Sequence, residues 1–464
     1  MENLPGARRA NIVQSRRRRV WGQIAVVLVA GNLLALTTKA APSPDAQAAI
    51  EADTLVATEA TIVDETTRAQ EAQPESAPEP DLPQPALEGI VGQAESATPR
   101  RLQYHVSLAV RSVYDDNINL NPSNREDDIY TTIEPTFDVG FGQADGNYIA
   151  LTYAPNAFLF VNHSENDALQ HVISLTGQYR FPLLTLSLAQ GVQILNGTGL
   201  NADTGTGTTF TRTNLDVAGR TRVNIYSTRL NANYSLTGKT FLTAGLGYSL
   251  SDYATFISSS VLSGNVYFNY TYSPKLSVGL GLDGGYNAVE SGQDQTYEQI
   301  NARASYELTG KVSASLTAGA EFRQATNSGA QDNGSPVFDG NLFYQPFDGT
   351  NISLSFARRT QNSATLFGQD FHSTSFTLSA RQRFLQRIYL GLTVGYENSE
   401  YFSTFSGLSS LRSDDYYFLQ PSVDLNITSF WNAGVYYFHR EDDSTLPTFS
   451  FYDNQFGIRT SLTF

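Results

Sequence analysis

The chain has 464 residues and a net charge of −15, with 16% charged residues, 12% aromatics, 36 Gly and no Cys. Charged residues fall well below the roughly 25% of an average soluble domain. The acidic balance argues against a nucleic-acid binder, and a chain without cysteine has no disulfide, thiol nucleophile or thiolate metal site. A helical membrane protein would need repeated apolar runs of about 20 residues, and one short candidate exists, at the N-terminus.

Residues 1–41 read as a long signal peptide. Arg8, Arg9, Arg16, Arg17, Arg18 and Arg19 form a basic n-region, and Val20 to Leu36 an apolar h-region. Thr38 and Ala40 place small residues where a signal peptidase tests them, so cleavage is expected between Ala40 and Ala41. The competing reading is an uncleaved anchor helix, for which the apolar run is short. Residues 42–100 change character. Ala, Pro, Glu, Gln, Asp and Thr dominate, and twelve acids between Asp45 and Glu95 face only Arg68 and Arg100. Such a composition cannot bury enough apolar surface to offset chain ordering, so the segment is expected to be a disordered acidic leader.

From residue 101 to 464 the texture is uniform. Segments of about 10–14 residues alternate apolar with small or polar side chains. Leu276, Val278, Leu280 and Leu282 share one face, with Ser277, Gly279, Gly281 and Asp283 on the other. Val312 to Arg323 and Ile388 to Glu397 repeat the pattern. The apolar face is continuous and ends in aromatics, which describes an outer-membrane strand facing lipid outward and water inward. In lipid every backbone group must pair, so such a sheet must close on itself.

Turn signals set the strand count. They recur at Asp145-Gly146, Phe181-Pro182, Thr237-Gly238-Lys239, Ser273-Pro274-Lys275, Thr309-Gly310-Lys311, Phe347-Asp348-Gly349, Gln386-Arg387 and Thr428-Ser429. Each interval holds two strands and one longer polar loop, and the longest interval contains a Gly/Thr loop over residues 196–221. Eight short turns with one strand at each end predict an all-β, antiparallel up-and-down barrel of about 18 strands. Pro135, Pro155 and Pro421 fall inside predicted strands, where a missing N–H removes a ladder bond, and bulges near the loop ends are expected there.

Three stretches carry a resemblance. Tyr114-Asp115-Asp116-Asn117-Ile118 follows the first predicted strand, Asp414-Asp415-Tyr416-Tyr417-Phe418-Leu419-Gln420-Pro421-Ser422 precedes the penultimate turn, and Phe456 to Phe464 ends the chain. With them, residues 102–464 resemble the β-barrel porin family of Gram-negative outer membranes, some of whose members accompany exopolysaccharide export. The resemblance implies a location in the outer membrane with the leader in the periplasm. It implies passage of solutes or of a secreted polysaccharide without covalent chemistry. It also implies contact with outer-membrane lipid and lipopolysaccharide, with the barrel assembly machinery and with polysaccharide export components. The last strand looks like the assembly signal, with Phe456, Ile458, Leu462 and Phe464 as its apolar positions.

By alternation the water-facing side carries Arg111, Glu134, Asp138, Arg303, Glu321, Arg323, Arg359, Arg381, Arg383, Glu397, Asp424 and Arg459. These are the pore-lining candidates, because an Arg facing lipid at the midplane costs about 2–4 kcal/mol. Arg381 and Arg383 share a face with Arg359, which suggests a local anion-attracting patch. No catalytic residue, cofactor or metal ligand is assigned. His163-Ser164-Glu165-Asn166-Asp167 has the residue types of a rim hydrolase, and Glu126-Asp127-Asp128 and Glu441-Asp442-Asp443 are acidic runs that could hold divalent cations, but polar loops carry such runs by chance. A general small-solute porin, a polysaccharide exit pore and a non-conducting adhesin or structural barrel remain as functional readings.

Overall fold

The computed structural model describes residues 102–143, 146–198, 215–326, 332–405 and 412–464. The signal peptide, its cleavage site and the acidic leader lie outside the described residues. Eighteen strands follow in order: β1 Leu102–Asp115, β2 Asp128–Gly142, β3 Tyr148–Phe160, β4 Ala168–Arg180, β5 Leu184–Gly197, β6 Thr221–Ser235, β7 Thr240–Tyr253, β8 Ser259–Ser273 and β9 Leu276–Val289. The second half is β10 Gln295–Thr309, β11 Val312–Ala325, β12 Asn333–Tyr344, β13 Thr350–Asn362, β14 Gln369–Phe384, β15 Ile388–Ser403, β16 Ser413–Asn426, β17 Trp431–Ser444 and β18 Phe451–Thr463. Every strand pairs antiparallel with its sequence neighbour, and β1 pairs with β18, so the sheet closes into a barrel without an edge. All eight short turns fall where the turn residues predict them. They share one edge of the barrel with Leu102 and Phe464, and the long loops share the other. Phe464 exchanges backbone bonds with Val106 across the closing seam (2.8 and 3.3 Å).

Alternation sorts the side chains. Leu280 is 69% exposed and Ile458 66%, with Leu246, Leu282 and Ile300 similarly open. They belong to an apolar outer band. Outward Tyr179, Tyr234, Tyr270, Tyr306, Tyr344 and Phe384 stand in a row beside the turns, and Phe322, Tyr417 and Tyr452 toward the loops. This double row is the sequence-level aromatic signal expressed in space.

The prolines behave differently from expectation. No register shift occurs at Pro135, Pro155 or Pro421; the shifts lie beside turns, at Thr271/Ser273 and Glu307/Thr309. The β2–β3 pairs stop at Ile133↔Ala157 and resume at Phe137↔Tyr153 in the same register, so Pro135 and Pro155 lie opposite each other. Two missing donors share one mid-strand gap, and no bulge is required. Pro421 likewise sits in a gap between Leu419↔His439 and Ser422↔Tyr436. Pro336 adds a case that the sequence reading did not single out. It would face Thr360 two residues beyond the last β12–β13 pair, Phe338↔Arg358. The guanidinium of Arg323 donates to the Thr360 carbonyl at 2.8 Å, in place of the N–H that proline lacks.

Candidate functional site

All twelve pore-lining candidates stand on the inward face. The structure shows how their charges are disposed. Arg111 and Arg459 are direct cross-strand partners on the closing seam, a like-charge pairing that is unfavourable by itself. Each is answered from its other side: Arg111 Nε donates to Glu134 at 2.7 Å and Arg459 Nε to Asp424 at 2.9 Å. Arg323 binds Glu321 (2.5 Å) and Arg359 binds Asp339 (2.8 Å). Arg303 donates to Asn269 and Thr243, both at 2.7 Å, and lies over the Tyr267 ring. Asp138 accepts from Thr152, and Glu397 from Ser373, each at 2.6 Å. Arg381 stacks over Tyr389 at 4.4 Å, close to the turn edge.

The expected Arg359–Arg381–Arg383 patch does not form. Arg359 pairs with Ser373, whereas Arg381 pairs with Asn351, eight residues away along β13. At 3.3 Å per residue that is about 26 Å. Sharing a face does not bring residues to one height, and Arg381 with Arg383 remain as the turn-side pair.

The loop-side half of the interior is occupied. The β5–β6 connection reaches the wall formed by β13 to β16, half-way round the ring. Asp216 accepts from Ser363 Oγ (2.7 Å), the Ala364 N–H (2.5 Å) and Tyr401 Oη (3.0 Å). Arg412 donates to the carbonyls of Leu215 (2.7 Å) and Asp216 (2.9 Å) and to Asp414 (2.9 Å). Its guanidinium sits between the Tyr401 and Phe449 rings. Burial works against that charge, but Tyr401, Asp414 and Asp216 raise the Arg412 pKa above the ordinary arginine value. Leu215 packs with Leu120, Tyr416 and Phe451. Ala218 holds a left-handed φ of 41°, a strained choice for a residue with a Cβ. Arg220 then returns under the mouth, donating to Asn166 O at 2.9 Å and lying over Phe160.

The motifs of the sequence reading find structural roles here. Asp115 accepts from Gln455, Asp116 from the Asn454 N–H, and Asn117 donates to Tyr452 O, so the Tyr114–Ile118 stretch staples β1 to β18 at the loop edge. Arg440, with Asp453 at 2.5 Å, completes this seam. The acidic runs are not single sites. Successive residues of a strand alternate across the wall, so Asp442 is buried inside while Glu441 and Asp443 are exposed outside. Asp128 is buried and takes His163 Nδ1 at 3.1 Å, so that histidine serves a loop contact.

Below this level many inward side chains are small, with the cluster of Tyr267, Asn269, Asp283, Asn301 and Arg303 set among them. Gly279, Gly281, Ser305, Ser315, Thr317, Ser355, Thr377, Ser379, Gly391 and Thr393 occupy the turn-side half, mostly half-exposed. Asp216, Ser363, Tyr401 and Arg412 were not singled out in the sequence. The available signal was slight: Asp216 is one of two Asp in the Gly/Thr-rich β5–β6 loop, and Arg412 is the one charged residue in residues 404–412.

No family model matches the chain, and no curated protein matches it. Among solved structures it is similar to OpdK of Pseudomonas aeruginosa, in a crystal structure with vanillate, at 10% identity and TM-score 0.43, covering 78% of this chain and 99% of that one. OprD of the same organism aligns at 10% identity and TM-score 0.39, covering 78% and 95%. A loop-deletion form of OmpT, an outer membrane protein of Vibrio cholerae, aligns at 12% identity and TM-score 0.35, covering 79% and 100%.

Proposed function

We propose that the barrel is an outer-membrane channel for passive movement of small polar solutes, with no covalent chemistry. The observation that carries this reading is the contrast between its faces: exposed Leu, Ile and Val outside, and a turn-side interior of Gly, Ser and Thr. An apolar exterior requires lipid. An eighteen-strand ring with small inward side chains leaves room for water. The leader then emerges with the turns, which are periplasmic in outer-membrane barrels.

The small-solute reading is favoured over a polysaccharide exit. A sugar polymer needs a continuous run of accessible aromatic rings. The inward rings of Phe371, Tyr401, Tyr416, Tyr436, Phe438 and Phe451 are buried; the half-buried Tyr130, Phe158 and Phe418 lie toward the loops and Tyr389 beside a turn, so they make no continuous run. Residues 215–220 of the crossing loop also lie inside the loop-side opening. Planar-bilayer recording of the refolded barrel tests the proposal. Stepwise conductance, with reversal potentials displaced toward anions by Arg381 and Arg383, is expected. A folded barrel that never conducts would replace it with the adhesin or structural reading.

A further inference from the structure

We propose that the turn-side rim of the barrel is a docking surface for the acidic segment of the same chain, residues 45–95. The three lysines of the described barrel, Lys239, Lys275 and Lys311, all lie in short turns. Arg387 joins them in the β14–β15 turn, and all four are exposed. Arg381 and Arg383 add positive charge on the inner lip. Against these the described edge carries Asp348, Glu307 and the Phe464 carboxylate, with Asp424 on the inner lip bound to Arg459. The ion pairs found among the described residues join arginines and histidines to carboxylates and involve no lysine. Lys275 and Lys311 instead reach sideways to the carbonyls of Leu308 (2.8 Å) and Pro346 (3.2 Å) of the next turn, so their positive charge stays on the rim. The opposite rim is acidic, with Glu126, Asp127, Glu298, Glu400, Glu441 and Asp443 exposed there.

The occupant follows from the tether. β1 begins at Leu102 on the turn edge, paired with Phe141 beside the β2–β3 turn. Seven residues before it begins a segment with twelve carboxylates and a single arginine, Arg68. An eighteen-strand ring at about 4.8 Å strand spacing and a tilt of about 40° is roughly 35 Å across. Twenty residues extended reach at most about 70 Å, so the segment can meet every rim lysine. One exposed ion pair contributes little. A covalently tethered polyanion above a basic ring holds its charges at millimolar effective concentration, and many weak contacts then act together. Both the attraction and its sensitivity to salt follow from the exposed position of the lysines.

The test is zero-length carbodiimide coupling of lysine amines to carboxylates in the full chain, folded in uncharged detergent, with peptide mapping. At low ionic strength, intramolecular amide links are expected from Lys239, Lys275 or Lys311 to acids of residues 45–95. They should fall at least five-fold at 1 M salt, where the Debye length is about 3 Å. A K239Q/K275Q/K311Q variant should fold and lose them. A barrel whose rim lysines couple only to Glu307 or Asp348 overturns the proposal, because the reagent has then reached the rim and found no leader. Links that persist undiminished at 1 M salt overturn the electrostatic account. Loss of the links in bilayers containing phosphatidylglycerol would assign the rim to anionic headgroups instead.

Discussion

The loop-side and turn-side halves of the interior differ sharply. Toward the loops the inward face is packed: Val223 is fully buried with Leu195, Val172, Ala154 and Ile225, and on the β15–β18 side Asp414, Arg412 and Asp453 are buried in charged networks. Toward the turns the same strands carry many Gly, Ser and Thr residues that are mostly half-exposed, although Tyr267 lies over Gly281 and Asn269 over Gly279. Both halves obey the same period-2 alternation, so the backbone does not distinguish them. What distinguishes them is that, among the described residues, a loop enters one half and not the other. A barrel wall is a uniform scaffold; its permeability is set by what folds back into it.

A charge placed in each half should therefore meet opposite fates. Val223→Arg buries an unpaired cation in an apolar cluster, a penalty of several kcal/mol. Folding yield in lipid should collapse. Thr317→Arg places the same group in the roomy half, where it reaches water, and should fold with near-normal heat-modifiable mobility. Equal damage from both would mean that the turn half is filled too.

The next largest effect concerns the anchor of the crossing loop. Arg412→Ala leaves Asp414 and Asp216 buried without their cation, which costs about 3–5 kcal/mol when one partner of a buried pair is removed. That cost falls on loop docking, because the wall is held by ladder bonds elsewhere. The barrel should still fold, while unit conductance rises and the β5–β6 loop becomes cleavable by added protease. An unchanged conductance would show that this loop does not narrow the passage.

How much of this was written in the sequence depends on range. Turn residues such as Thr237-Gly238-Lys239 act locally, so all eight turns and the strand number were legible. Inside and outside follow from alternation, so Leu280 and Gly281 could be assigned without a structure. The Arg111–Glu134 pair needed only the β1–β2 register, which the turn does not fix because a long loop joins those strands. The Arg359–Arg381 patch failed because Arg359 lies near the loop end of β13 and Arg381 near the turn end of β14, and alternation assigns faces but not heights. Pro135 and Pro155 are nearest neighbours only once register is known, and a bulge was the natural expectation for either alone. The Asp216–Arg412 anchor joins residues 196 positions apart through a loop crossing the lumen, and no periodic signal reaches that far.

A finer cut through the same anchor is Tyr401→Phe. It removes one hydroxyl donor to the Asp216 carboxylate at 3.0 Å and keeps the ring stacked on Phe371 and Arg412. A hydrogen bond to a charged group contributes about 1.5–3 kcal/mol. Loop cleavage by protease should quicken by about ten-fold or more, with folding of the wall unchanged. A rate equal to wild type would place the anchoring energy in Arg412 alone.

The smallest effect on stability should be the clearest on selectivity. Arg381→Gln with Arg383→Gln removes two charges from the turn-side half, where Arg381 is half-buried and its stacking on Tyr389 contributes about 0.5–2 kcal/mol. Stability should therefore change little. The reversal potential in a salt gradient should move toward cations, because these side chains face the aqueous path near its turn-side entrance. In 1 M salt the difference should shrink, as the Debye length falls to about 3 Å. The matched control is Arg111→Gln with Glu134→Gln in the packed half, which removes a bonded pair of zero net charge. It should cost more stability and move the reversal potential less. If the control shifted selectivity as far as the turn-side pair, the ions would be reading the packed half, and the division of the interior into a filled and an open region would fail.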